Sequence, residues 1–200
     1  GITFLNQDNE RLVRLLAETQ IPKVFLDTSS LVAPDELNGD LLLMESRTSV
    51  RRITCHLLEQ GRTLPGFIGD ISYAQSNRER YEGFCQALAD AGKKVDSSLC
   101  LTTPLGIDTY REEIDTFLSS LSRMPDAFVC ASDYVACILM QLLEKRGLRV
   151  PEDVAVSGFD NNTEDLLAEH LTTVQVFNEE LGARLALQIL YRIKYPNTPH

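Results

Sequence analysis

Basic residues are scarce in this sequence. Nineteen Lys and Arg stand against 29 Asp and Glu in 200 residues, a formal net charge of −10 with a pI near 4.8. Nucleic-acid binding draws much of its affinity from neutralised phosphates and needs a basic face. The longest basic clusters are pairs, Arg51-Arg52, Lys93-Lys94 and Lys145-Arg146, at positions that read as solvated helix faces. These residues are not expected to bind DNA by themselves.

Other absences narrow the class further. No apolar run approaches the roughly 20 residues that cross a bilayer, and no charged-then-apolar leader opens the chain, so no membrane partner is expected. The five cysteines (Cys55, Cys85, Cys100, Cys130, Cys137) include no CxxC pair; most sit in apolar patterns, as small buried hydrophobes of a reducing cytoplasm. His56, His170 and His200 are far apart, so neither a metal site nor a cofactor is expected. Asn161-Asn162-Thr163 fits a glycosylation sequon but reads as a turn. GxGxxG, GxxxxGK[ST], GxSxG and HExxH are missing, and no second aspartate follows Leu26-Asp27-Thr28-Ser29 at the spacing an aspartyl nucleophile needs. No enzyme is predicted.

The chain is 44% hydrophobic and 24% charged, the balance of an ordinary globular protein. At roughly 100–200 residues per domain it allows one domain or two small lobes. Short apolar runs at 2–5, 23–27, 41–44, 66–69, 98–102, 127–131, 154–159 and 172–177 alternate with helical patterns at 10–18, 49–60, 77–91, 134–146 and 179–194. A further helix follows Thr109. Ser76 with Glu79, and Thr109 with Glu112, have capping-box spacing, while Gly61, Gly92 and Gly147 stand at helix ends. About eight strands and six helices in alternation imply parallel, doubly wound sheets covered on both faces.

Such sheets bind ligands beyond the carboxyl ends of their strands. The polar residues at those places are Asp27, Ser76 with Arg80, Ser132 with Asp133, Asp160 with Asn161, and Asn178. Carboxylates, amides and one arginine suit a polyhydroxy ligand: Asp and Asn accept from or bridge hydroxyls, and Arg donates in a fixed fork. Tyr73, Tyr110, Phe159 or Phe177 offers an aromatic face for a sugar ring. Helix capping explains Ser76, Asp133 and Asn178 equally well, and Arg80 has Asp70 and Glu79 as alternative partners.

The stretch from Arg146-Gly147-Leu148-Arg149-Val150-Pro151-Glu152-Asp153 to Ser157-Gly158-Phe159-Asp160 resembles the LacI/GalR family of bacterial transcription regulators. Ala127 through Asp133, Leu171-Thr172-Thr173-Val174, Glu180-Leu181-Gly182, Arg80-Tyr81-Glu82-Gly83-Phe84 and Ile21-Pro22 fit the same family in order. The resemblance implies a two-lobed α/β fold like periplasmic sugar-binding proteins, with a small-molecule effector, a sugar or sugar derivative, in the cleft. Its lobes would be 1–45 with 173–200, and 46–172.

By position, the resemblance makes Arg80 a donor to ligand hydroxyls and Asp160 an acceptor; Asp27, Met44 and Ser76 face the ligand in relatives. It also implies a homodimer whose operator DNA is bound by a headpiece outside these residues. That headpiece and the opening elements of the first lobe would precede Gly1, and a closing strand would follow His200, so the first lobe is expected to be incomplete, with an apolar edge favouring association. Ser132 stands where the family commonly has Asn, Val176 where it has Gln, and Glu45-Ser46 where it has Asp-Asn. Loss of such hydrogen bonds shifts discrimination by ~10–100-fold when a buried polar partner is left unpaired, which points to an atypical effector. A solute-binding protein of an uptake system shares the fold, but five cysteines and the Val-Pro-Glu-Asp stretch weigh against it.

Overall fold

A computed structural model describes residues 1–106, 108–161 and 171–199. The chain divides into two compact units: Gly1–Glu45 with Ser72–Arg78 and Phe177–His200, and Ser46–Ile71 with Glu79–Val176. Two short segments fall differently from the boundaries expected above. Residues 72–78 join the first unit because Ser30 Oγ donates to the Ser72 carbonyl at 3.1 Å and Arg78 Nη2 donates to Ser30 Oγ at 3.1 Å. Residues 173–176 join the second, held by bridges from Ser157 to Thr172 and from Asp160 to Gln175.

The first unit carries a parallel sheet in the order β1 (Ile2–Gln7), β2 (Lys23–Thr28), β3 (Asp40–Leu42). Its register aligns Phe4 with Phe25 and Leu26 with Leu42. As the central strand, β2 is buried along nearly its whole length, which is why Val24-Phe25-Leu26 is a continuous apolar run rather than an alternating one. Helix α1 (Glu10–Ala17) starts at Asn9, whose side chain accepts from the Leu12 amide at 3.0 Å. It places Val13 into a small core with Phe25, Val32 and Leu37.

The second unit is a four-stranded parallel sheet in the order β5 (Cys100–Leu101), β4 (Pro65–Ile68), β6 (Ala127–Cys130), β7 (Ala155–Ser157). Adjacent residues point to opposite faces, so each strand feeds two cores. Ile68, Phe128 and Val156 pack with Ile114 and Leu118 of α4 (Tyr110–Ser120) and with Leu139 and Leu143 of α5 (Asp133–Lys145). Phe67 and Val129 pack with Val50 and Leu57 of α2 (Arg47–Glu59) and with Phe84 and Leu88 of α3 (Gln75–Asp90). Helices on both faces of a parallel sheet make the unit doubly wound, as the alternation predicts.

Local departures have local causes. The strand expected over 98–102 shrinks to two residues because Ser97–Leu99 form a 3-10 turn capped by Asp96. The run 172–177 contributes isolated bridges instead of a named strand. Helix α3 begins at Gln75, so Ser76 lies inside its first turn and is not its cap. Thr109 does precede α4, yet its hydroxyl pairs with Glu113 rather than Glu112. His170, His200, Asn162 and Thr163 lie outside the described residues. Among the described residues no helix is long and apolar enough to cross a membrane.

One glycine is dictated by close approach. A Cβ on Gly83 of α3 would run into the backbone carbonyl oxygen of Arg47, at the start of α2. Backbone cannot move aside as a side chain can, so Gly83→Ala should cost about 1–3 kcal/mol through forced separation of the two helices. Equilibrium urea unfolding reads this directly; an unchanged midpoint would refute it.

Candidate functional site

Past the carboxyl ends of β6 and β7 the second unit gathers its buried polar groups. Ser132 caps α5, its Oγ accepting from the Val135 amide at 3.3 Å. Asp133, buried at the first turn, donates its amide to the Phe159 carbonyl at 2.8 Å. Its carboxylate accepts from the Thr173 hydroxyl at 2.6 Å. Only glycine fits at position 158, because a Cβ there would meet that same carboxylate. The turn after β7, the start of α5 and the segment 172–176 are thus tied together.

Asp160 is held in an unusual backbone state. Its φ is 114°, and the next residue, Asn161, has φ 52°. Non-glycine residues in such regions cost about 1–3 kcal/mol each and persist only where surrounding bonds over-determine them. Here the Asp160 amide donates to the Val174 carbonyl at 3.0 Å, and the Asp160 carbonyl accepts from the Val176 amide at 3.3 Å.

Arg80 of α3 meets this turn from the other side and is 4% exposed. One Nη donates to the Ala131 carbonyl at the end of β6. The guanidinium carbon lies 3.7 Å from the centroid of the Phe159 ring, and the other Nη is 3.8 Å from an Asp160 carboxylate oxygen. The Asp160 side chain remains 41% exposed. Burial pushes the Asp160 carboxyl up to about 6, with Arg80 pulling it down and Asp133 adding to the rise. The arrangement presents a rigid cationic donor and a carboxylate acceptor side by side, the equipment to hold a hydroxyl-bearing ligand.

Asp27 and Ser76 meet within the first unit, but they meet each other. Asp27 has φ 58° and is buried. Its Oδ1 accepts from the amides of Thr28 at 2.8 Å and Ser76 at 3.3 Å, and its Oδ2 accepts from the Ser76 hydroxyl. A carboxylate against the first turn of α3 satisfies amides that have no partner inside the helix. That is why Ser76 does not have to be the cap. Met44 is half-buried in the segment before α2, and Asn178 is exposed at the start of α6 (Asn178–Lys194). Phe177 is 69% exposed.

Phe159 is fully buried and carries the Arg80 guanidinium, so its ring is not the exposed sugar face that the sequence suggests. Arg80 makes an ion pair with Asp160. No local pattern marks Thr173 as a partner of Asp133; its signal in the sequence is its place in Leu171-Thr172-Thr173-Val174.

The raised Asp160 carboxyl has a consequence for stability. Its proton is held more tightly in the folded than in the unfolded chain, so the folded form binds more protons between about pH 4 and 6. Stability from this group is present below the unfolded value and is lost as pH rises through about 6. Asp160→Asn should therefore raise the melting temperature of ligand-free protein at pH 7 and change it little at pH 4. Equal effects at both pH values would refute the assignment.

A parallel, doubly wound sheet with polar groups beyond its strand ends defines a ligand-binding α/β protein. The model of the periplasmic binding protein-like domain matches residues 54–200. The chain is 30% identical over 189 residues to the HTH-type transcriptional regulator DegA of Bacillus subtilis, covering 92% of this chain and 54% of that protein. It is also 30% identical over 198 residues to the HTH-type transcriptional repressor PurR of Aliivibrio fischeri, with 97% and 58% covered. Among solved structures, the transcriptional regulator CelR in complex with cellobiose superposes with a TM-score of 0.83 at 27% identity, covering 99% of this chain and 60% of that one. A LacI-family regulator from Sanguibacter keddieii gives 0.74 at 26% identity, with 92% and 68% covered. The chain belongs to the periplasmic binding protein-like family, as an effector-binding domain of the LacI-family type. It spans about half the length of the curated relatives it matches.

Proposed function

We propose that this chain is the effector-sensing part of a cytoplasmic, homodimeric LacI-family transcription regulator, and that operator DNA is bound by another part of the full-length protein. The observation that carries the reading is the Arg80–Asp160 pair, a buried donor fork beside a half-open carboxylate on a strained turn. The effector is a sugar or sugar derivative, held in the second unit through Arg80, Asp160 and Ser132. The cellobiose bound by the structural relative supports that ligand class. Relatives named as transcriptional regulators and a repressor favour a regulator over an uptake protein. Effector binding acts by differential affinity for two states of the regulator, since a ligand shifts an equilibrium only by that difference.

Thermal unfolding of the full-length protein against sugars and sugar phosphates tests this reading. A ligand at 100 times its dissociation constant adds about 2.7 kcal/mol to the stability of the folded form. The expected result is a rise in melting temperature for one chemical class, lost in Asp160→Ala. No rise with any compound would overturn the proposal.

A further inference from the structure

Helix α2 carries a second stripe beside the one it buries. Val50, Thr54 and Leu57 are buried against the second unit. Ser49, Arg52, Ile53 and His56 follow the i, i+3, i+4, i+7 spacing of one helix side. Together with Thr173 and Val174 they line a cavity of about 410 Å³, a size that suits a small metabolite. All six residues belong to the second unit, and none is shared with the Arg80–Asp160 pair.

The chemistry of this cavity is that of an oxyanion site. Arg47 and Arg51 are held in ion pairs with Glu82 and Asp90 of α3. Arg52, turned about 100° from Arg51 around the helix, is exposed and enters no ion pair among the described residues. The Gln60 side-chain nitrogen lies 2.9 Å from His56 Nε2. An amide nitrogen only donates, so Nε2 accepts, and the proton of the neutral ring sits on Nδ1 as a second donor. Ile53 and Val174 add apolar groups that pack against the core around Phe67 and Val129. A guanidinium fork and an imidazole N–H one turn apart match the several acceptor positions of a phosphate.

The other wall is the segment that holds the Asp160 turn. Thr173 Oγ donates to the Asp133 carboxylate at 2.6 Å and accepts from the Asn161 amide at 3.3 Å. The Val174 carbonyl accepts from the Asp160 amide at 3.0 Å. These bonds hold Asp160 and Asn161 at their positive φ values. We propose that this cavity is a second ligand site, taking a phosphate-bearing metabolite through Arg52 and His56, and that its occupancy is coupled to the Asp160 turn through Thr173 and Val174. The coupling is reciprocal: a ligand on the turn changes the affinity for phosphate by the same factor as phosphate changes the affinity for that ligand. Its use in effector sensing rests on the function proposed above; the site itself does not.

Inorganic phosphate is the probe. Hydrogen exchange of the full-length protein would be followed at constant ionic strength as phosphate is raised, in the wild type, Arg52→Gln and Arg51→Gln. The expected result is a saturable slowing in α2 and in 172–176 that extends to the Asp160 turn. It should reach about tenfold once phosphate stands at about ten times its dissociation constant. Arg52→Gln should lose the effect, and Arg51→Gln, at the neighbouring position that serves Asp90, should keep it. No slowing in the wild type, or equal slowing in Arg52→Gln, would overturn the site. Slowing confined to α2 would overturn the coupling. A sugar panel without any response, beside the expected phosphate pattern, would remove the sensing reading and leave this site standing.

Discussion

Arg80→Ala should abolish the effector response and lower stability by about 2–3 kcal/mol. Removing one member of a buried ion pair costs about 3–5 kcal/mol because the other is left uncompensated; the lower figure applies because Asp160 is partly open to water, which screens the pair. Three losses coincide. The Ala131 carbonyl loses a charged donor, the Phe159 face loses its cation, and Asp160 loses the guanidinium it pairs with. The last loss raises the Asp160 carboxyl further, so the destabilisation should shrink as pH falls and that proton returns.

Arg80→Lys keeps the charge but not the planar fork that serves a carbonyl and a ring face together, and should recover only part of the loss. Arg80→Met fills the space on Phe159 without the charge, so it should regain stability at low pH while staying blind to effector. Isothermal calorimetry with the effector found in the panel, run beside urea unfolding, separates the two effects. Wild-type affinity in Arg80→Ala would remove Arg80 from the site.

The parallel sheets, both helix layers of the second unit and the places of Arg80 and Asp160 beyond strand ends were legible in the residues. Continuous apolar strands such as Phe67-Ile68 and Phe128-Val129 can only be buried on both faces, and glycines such as Gly92 and Gly147 mark where helices stop. What stayed hidden were pairings between distant residues. Asp27 and Ser76 both looked like ligand-facing groups, yet they are 49 positions apart and satisfy each other. Phe159 looked like a platform for a sugar because aromatic residues near polar ones often are; its burial under Arg80 follows from tertiary packing that no local period records. Positive φ at Asp27, Asp160 and Asn161 was equally invisible, since Asp and Asn tolerate that region without announcing it.

The largest stability effect should come from a residue that no local pattern singles out. Arg192 of α6 is 2% exposed. Its Nε donates to Asp40 Oδ2 at 2.9 Å, one Nη donates to the other Asp40 oxygen and to the Pro199 carbonyl at 3.0 Å, and the second Nη reaches the Thr198 carbonyl and hydroxyl. Gln188, one turn earlier, donates to Asp40 Oδ2 at 3.0 Å. Asp40 opens β3 and pairs with Val24 of the central strand, so this bidentate bridge joins α6, β3 and the turn after α6 across 152 positions of sequence. Arg192→Ala takes the paired cation away from the buried Asp40 carboxylate, which should cost about 3–5 kcal/mol, a fall of about 10 °C in melting temperature for a chain of this size. Hydrogen exchange should locate the loss in β1–β3, with the second unit unaffected. The double variant Arg192→Leu/Asp40→Leu should recover most of it, because replacing both charges with apolar groups removes the desolvation penalty together with the attraction. A loss below about 1 kcal/mol in Arg192→Ala would place the bridge among surface pairs, which contribute little. A double variant no better than the single one would instead mean that the hydrogen bonds to Thr198 and Pro199, rather than the charge pair, hold α6 in place.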